Sequence, residues 1–129
     1  MAKTGVARRR RIMVVEDNAD ASESTRMLLE YMGHEVREAP GGEEALQLAR
    51  QFQPEIILCD LGLPGALDGY GVARALRQNP EFQSVVLIAV TGHGDDEHRR
   101  RALAAGFNTH VLKPLEPAVL ERLIAELPE

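Results

Sequence analysis

Short apolar runs alternate with longer stretches of helical spacing along the whole chain, and this rhythm constrains the fold more than any other feature. Residues 12–15 (IMVV), 56–59 (IILC) and 85–90 (VVLIAV) are apolar without interruption. A strand with one face in water alternates apolar with polar residues, so unbroken runs belong to strands covered on both faces, as in a parallel sheet between helices. Glu35–Ala39 and Thr109–Leu112 add two weaker strands. Between the strands lie helical patterns. Met27, Leu28, Tyr31 and Met32 recur at helical spacing from Ala21 onward, with Asp20 the expected N-cap and Gly33 the stop. Ala45, Leu46, Leu48, Ala49 and Phe52 form a second helix, stopped at Pro54. Val72, Ala73 and Leu76 carry a third, ending near Pro80. A polar helix over 95–105 closes at Gly106, and a last one over 117–127 has Pro117 in its first turn, where the missing N–H is harmless. Five strands and five helices in strict alternation predict an α/β domain: a five-stranded parallel sheet with helices on both faces.

Composition narrows the class further. A length of 129 residues predicts one domain, here residues 11–129 behind a basic arm at 1–10. Cys59 is the single cysteine, so no internal disulfide forms, and no Cys/His cluster has zinc spacing. No apolar run approaches the ~18 residues of a membrane span, and Glu16 and Asp17 interrupt any signal-peptide core after the arginines. A soluble, cytoplasmic protein is expected. The first eleven residues hold Lys3 and four consecutive arginines, whereas residues 12–129 carry 10 basic and 20 acidic side chains. An acidic body argues against nucleic acid as the main partner, because phosphate contacts need clustered Lys and Arg. No nucleic-acid-binding domain is expected after the last helix, and the arginine arm reads as a solvated lead-in. Cys59 reads as a small core residue, and His34 and His98 as surface residues.

The polar residues fall in one kind of place. Glu16 and Asp17 follow the first strand, Asp60 the third, Thr91 the fourth and Lys113 the fifth, each at the carboxyl end. In an open parallel sheet ligands bind at that edge, and right-handed crossovers bring those strands side by side. Three carboxylates in one pocket repel one another, and so hold protons or a cation. An all-oxygen set without His or Cys suits a hard ion, Mg²⁺ or Mn²⁺. A metal, the Lys113 ammonium and the Thr91 hydroxyl together match the oxygens of a transferring phosphoryl group.

Four segments carry a family resemblance: Val14-Val15-Glu16-Asp17-Asn18, Cys59-Asp60-Leu61-Gly62-Leu63-Pro64-Gly65, Val90-Thr91-Gly92 and Leu112-Lys113-Pro114. In this order and at this spacing the chain resembles the receiver domain of two-component response regulators from Arg11 to Leu127. The resemblance implies a flavodoxin-like, doubly wound sheet in the order 2-1-3-4-5, with Asp60 as phosphoacceptor. It also implies Glu16 and Asp17 as the acidic pair, and Asp17, Asp60 and the Gly62 backbone carbonyl as Mg²⁺ ligands. Thr91 and Lys113 would bind phosphoryl oxygens, and Pro114 would follow a cis peptide. The implied partner is a sensor histidine kinase or a phosphotransfer protein, and the implied state a monomer or weak dimer that modifies itself without turning over a substrate. The 64–69 loop is one residue longer than the family usually has.

Two other classes are disfavoured by particular residues. A magnesium phosphatase with an Asp nucleophile carries a second acid two residues later, where this chain has Gly62. A flavin-binding domain needs a Ser/Thr-rich loop after the first strand, where this chain has Glu16-Asp17-Asn18. His93, two residues past Thr91, reads equally as an influence on phosphoryl lifetime and as a plain loop histidine. His110, three residues before Lys113, stands where the family usually has Tyr or Phe that swings inward on activation. A neutral imidazole can pack inward whereas an imidazolium resists leaving water, so His110 is either a charge-sensitive switch or an exposed residue of the output face.

Overall fold

The computed structural model describes residues 8–127, in which five parallel strands form one sheet. The strands are β1 (Arg11–Val15), β2 (Glu35–Ala39), β3 (Ile56–Asp60), β4 (Val86–Thr91) and β5 (Thr109–Leu112). Their order across the sheet is β2-β1-β3-β4-β5. The connecting helices are α1 (Ala19–Tyr31), α2 (Gly42–Phe52), α3 (Gly69–Arg77), α4 (Asp96–Ala105) and α5 (Pro117–Ala125), with a short 3-10 turn at Pro80–Phe82.

The unbroken apolar runs are explained by two cores, one on each sheet face. Met13, Val15, Ile57, Cys59, Leu87 and Ala89 point into one core, with side chains from α2, α3 and α4. Ile12, Val14, Ile56, Leu58, Ile88 and Val90 point into the other, closed by Leu29 of α1 and by Leu120 and Ile124 of α5. Successive residues of a strand face opposite ways, so each position over 12–15, 56–59 and 86–90 needs an apolar side chain. Each such burial contributes roughly 1.5–3 kcal/mol.

Several local expectations are corrected. The first helix is capped by Asn18, whose Oδ1 accepts the Ala21 N–H at 2.9 Å, and not by Asp20. Its expected inward face holds in part: Leu28 and Met32 pack against the core beside the fully buried Leu29, while Met27 and Tyr31 are exposed. Ser22 sits on the buried face with its hydroxyl donating to Glu38 Oε1 at 2.7 Å, which an apolar pattern cannot register. Strands β3 and β4 run one residue further than expected, because Asp60 pairs with Val90 and Thr91 with Leu112. The last helix stops at Ala125, short of residue 127.

The arginine run is not a solvated lead-in over its described part. Arg8 pairs with Glu55 at 2.6 Å, Arg11 donates from Nε to the Gln53 carbonyl at 2.8 Å, and Arg10 is buried. Residues 1–7 lie outside the described residues. His34, expected at the surface, is buried and accepts the Arg10 backbone N–H at Nδ1, 3.1 Å away.

That contact has a pH dependence. Burial, then the charge of Arg10, holds His34 below its ordinary value of about 6.5, and Glu55 opposes them. The unfolded chain therefore takes up this proton before the folded one does. The stability at stake is fully present above about 6.5 and is lost as pH falls through the lower folded-state value. Urea-unfolding midpoints should fall across that window in the native chain and fall less in His34→Gln, whose amide oxygen can still accept. Equal slopes in the two proteins would refute the assignment.

Candidate functional site

The carboxyl edge of the sheet collects the residues that the strand-end pattern singled out. Asp60 ends β3 and Thr91 ends β4, both buried, while Glu16, Asp17 and Lys113 occupy the loops that follow β1 and β5. Oxygens of Glu16, Asp17 and Asp60 all lie within 4.8 Å of one another. Lys113 Nζ sits 3.0 Å from Asp60 Oδ2 and 3.6 Å from Glu16 Oε1. The other Asp60 oxygen, Oδ1, accepts the Gly62 backbone N–H at 2.9 Å. The Lys113-Pro114 peptide is cis, as the resemblance implies.

Local structure fixes these groups. The Asn18 backbone N–H donates to Glu16 Oε2 at 3.1 Å, which turns Glu16 back over the end of β1. Thr91 Oγ1 accepts the His93 backbone N–H at 3.0 Å. A hydroxyl has a single proton and two lone pairs, so Thr91 keeps its own proton to donate. Behind Asp60, Gly69 opens α3 with its N–H on the Leu61 carbonyl at 3.3 Å, and Asp68 caps the helix by accepting the Gly71 N–H at 2.9 Å. Gly69-Tyr70-Gly71 is thus a helix start.

Electrostatics follow from crowding. Burial pushes the Glu16 carboxyl above its ordinary range; the Asn18 N–H and Lys113 pull it back, and Asp60 and Asp17 push it further. Burial pulls the Lys113 ammonium down, but the hydrogen bond and charge of Asp60, with Glu16, outweigh it and leave Lys113 above its ordinary value. Lys113 therefore stays a cation beside the acids. Three carboxylates and no His or Cys make a hard-cation site of oxygen donors, which fits Mg²⁺. Cys59, adjacent to Asp60, is fully buried, and burial raises its thiol far above the thiolate range, so it is a core residue with no redox chemistry.

A cavity of about 380 Å³ is lined by Asp60, Gly62, Thr91 and Lys113 and also by Tyr70, His93, His98 and Arg101. Tyr70, His98 and Arg101 are not among the site residues expected from the sequence. The available signal is the three-residue spacing of His98 and Arg101, which puts both on one face of α4. His98 is not a free surface residue: its Nδ1 lies 2.5 Å from Asp95 Oδ1, and its ring stacks on His93 with centroids 4.6 Å apart. His110 sits half-buried on β5 and lines a separate cavity of about 410 Å³ with Pro114, Leu115, Val119 and Leu120.

Comparison with known proteins gives a consistent result. Residues 12–125 match the family described as response regulator receiver domain. An uncharacterized 14.6 kDa protein of Leptolyngbya boryana is 34% identical over 115 residues, spanning 89% of this chain and 87% of that one. The phosphate regulon transcriptional regulatory protein PhoB of Rhizobium meliloti is 36% identical over 118 residues, 91% of this chain but only 52% of the regulator. Among solved structures, the receiver domain of sensor histidine kinase PA1611 from Pseudomonas aeruginosa PAO1 superposes with a TM-score of 0.82. It is 31% identical, with 91% of this chain and 95% of that one covered, and it holds a magnesium ion in its active-site cleft. No described helix is long and apolar enough to cross a membrane.

Proposed function

Because the chain belongs to the response regulator receiver domain family, a family of signalling domains, we propose that Asp60 accepts a phosphoryl group from a phosphohistidine on a sensor histidine kinase or phosphotransfer protein. The observation that carries this reading is the convergence of Asp60, Thr91 and Lys113 with the Glu16–Asp17 pair at one sheet edge. An Asp60 carboxylate oxygen attacks phosphorus as the phosphorus bond to the donor nitrogen breaks and its electron pair leaves with the imidazole. Thr91 donates its free hydroxyl proton to one phosphoryl oxygen, and Lys113 exchanges Asp60 Oδ2 for another. Water later hydrolyses the aspartyl phosphate in the same cavity.

Asp17, Asp60 and the Gly62 carbonyl would hold Mg²⁺, with Mn²⁺ a chemically similar alternative, and Glu16 would complete the acidic pair. Bound there, the ion supplies positive charge against the charge that develops on the phosphoryl oxygens. Asp17 is exposed and its removal relieves repulsion, so Asp17→Ala should fold normally. It should bind Mg²⁺ at least about 100-fold more weakly, beyond the loss usual for residues that only support a ligand. Calorimetric titration checks this; unchanged affinity would refute the ligand set.

The switch is proposed to run through Thr91 and His110. Recruitment of Thr91 by the phosphoryl group vacates space behind it, and His110 turns inward from its half-buried position on β5. An uncharged ring enters at less expense than a charged one. Ring resonances of His110 should move when a beryllofluoride mimic is added. Superimposable spectra would assign His110 to a static output face. On this reading the domain works in the cytoplasm, as a monomer or weak dimer, and phosphorylation switches a signalling surface.

A further inference from the structure

Tyr70 and Arg101 line the Asp60 cavity, and the roles given to Asp60, Thr91 and Lys113 do not involve them. Tyr70 is 5% exposed and lines the cavity, yet its hydroxyl is buried with no hydrogen-bond partner among the described residues. The Arg101 guanidinium carbon lies 4.3 Å above the Tyr70 ring, a cation–π contact that holds an otherwise exposed arginine at the cavity wall. Beside them, His98 is tied to Asp95 and stacked on His93. A buried hydroxyl without a partner is unfavourable until an acceptor reaches it. A guanidinium beside it selects an anion, and its planar fork matches a carboxylate.

We propose that Tyr70 and Arg101 form a subsite for the departing carboxylate of a small acyl phosphate, which makes the chain favour this class over small-molecule donors with neutral leaving groups. The inference rests on Asp60 as the acceptor. In-line displacement sends the leaving group away from Asp60, into a cavity that Tyr70 and Arg101 also line. An Asp60 oxygen forms the new bond to phosphorus, the bond from phosphorus to the acyl oxygen breaks, and the electron pair departs on that oxygen as a carboxylate. No proton moves. With phosphoramidate the bond to nitrogen breaks instead, and the protonated nitrogen leaves as neutral ammonia, which a guanidinium does not attract. His98 and His93 border the subsite with His98 bonded to Asp95, and Arg101 and Lys113 are the permanently charged cations of the cavity lining, Lys113 being held by Asp60.

The test compares donors within each protein. Second-order rates of phosphorylation by acetyl phosphate and by phosphoramidate are measured by intact mass with saturating Mg²⁺, in the native chain, Arg101→Gln and Tyr70→Phe. Arg101→Gln should slow acetyl phosphate by about tenfold, the scale of one charge-assisted hydrogen bond. It should leave phosphoramidate within about twofold. Tyr70→Phe keeps the ring under Arg101 and should lower the same ratio by a smaller factor. An equal loss with both donors would make Arg101 a structural residue and overturn the subsite, as would unchanged rates in both variants. A native chain that accepts from neither donor would instead overturn the phosphoacceptor reading, and the subsite with it.

Discussion

Asp60→Asn takes up no phosphoryl group from acetyl phosphate under conditions in which the native chain gains one. The amide is the same size, and its oxygen can still accept the Gly62 N–H that holds Asp60 Oδ1 at 2.9 Å, so the fold and the cavity survive. What disappears is the anionic oxygen facing Lys113 at 3.0 Å. An amide oxygen is too weak a nucleophile to replace it. Removal of a nucleophile slows a reaction by roughly 10⁴-fold or more, which puts any residual labelling below detection by intact mass. Glu16 and Asp17 keep their carboxyl groups in the variant. Labelling equal to that of the native chain would therefore show that one of them, or a residue elsewhere, is the acceptor.

Gly69→Ala should carry the largest structural penalty of any single methyl added near the site. A Cβ there would lie 2.6 Å from the Leu61 Cα and would also run into the Asp60 carbonyl oxygen. Both obstacles are backbone, so neither can swing aside as a flexible side chain would. Alanine is otherwise preferred in helices by up to ~1 kcal/mol, but overpacking against fixed atoms costs about 1–3 kcal/mol, and the collision prevails. The strain falls on the last residue of β3. Phosphorylation should therefore slow along with the loss of stability measured by urea unfolding. Gly65 is the contrast: it has φ +93 and a Cβ there would meet nothing within 4 Å, so its requirement is conformational and steric room is ample. A Gly69→Ala protein as stable and as readily phosphorylated as the native chain would contradict this account of how α3 braces Asp60.

The central strands are legible in the sequence because residues 12–15, 56–59 and 86–90 each face one of two cores, which leaves no position there for a polar side chain before the carboxyl edge. The same constraint makes Asp60 and Thr91 conspicuous, since the first polar residue after such a run sits where strands meet helices. What stays hidden is polar burial. Ser22 occupies the inward face of α1 through its bond to Glu38, and His34 is buried through the Arg10 backbone N–H. Each depends on a partner 16 or 24 residues away, respectively, which local periodicity does not encode. The arginines of the arm mislead for the same reason: Glu55, which fixes Arg8 and accepts the Arg11 N–H, follows Pro54 in a distant turn. Tyr70 and Arg101 escape a reading of the sequence because a cation–π contact between α3 and α4 leaves no spacing signature along the chain.

Phosphoryl transfer to Asp60 turns its carboxylate into an acyl phosphate. Treating the phosphorylated chain with borohydride reduces that acyl phosphate to an alcohol and leaves homoserine in place of the aspartate, which peptide mass spectrometry locates. The predicted result is homoserine at position 60 alone, in an amount that follows the phosphoryl occupancy and vanishes when Mg²⁺ is chelated before the donor is added. Homoserine at position 17, reduction of Glu16, or a phosphoryl group that resists borohydride would contradict it.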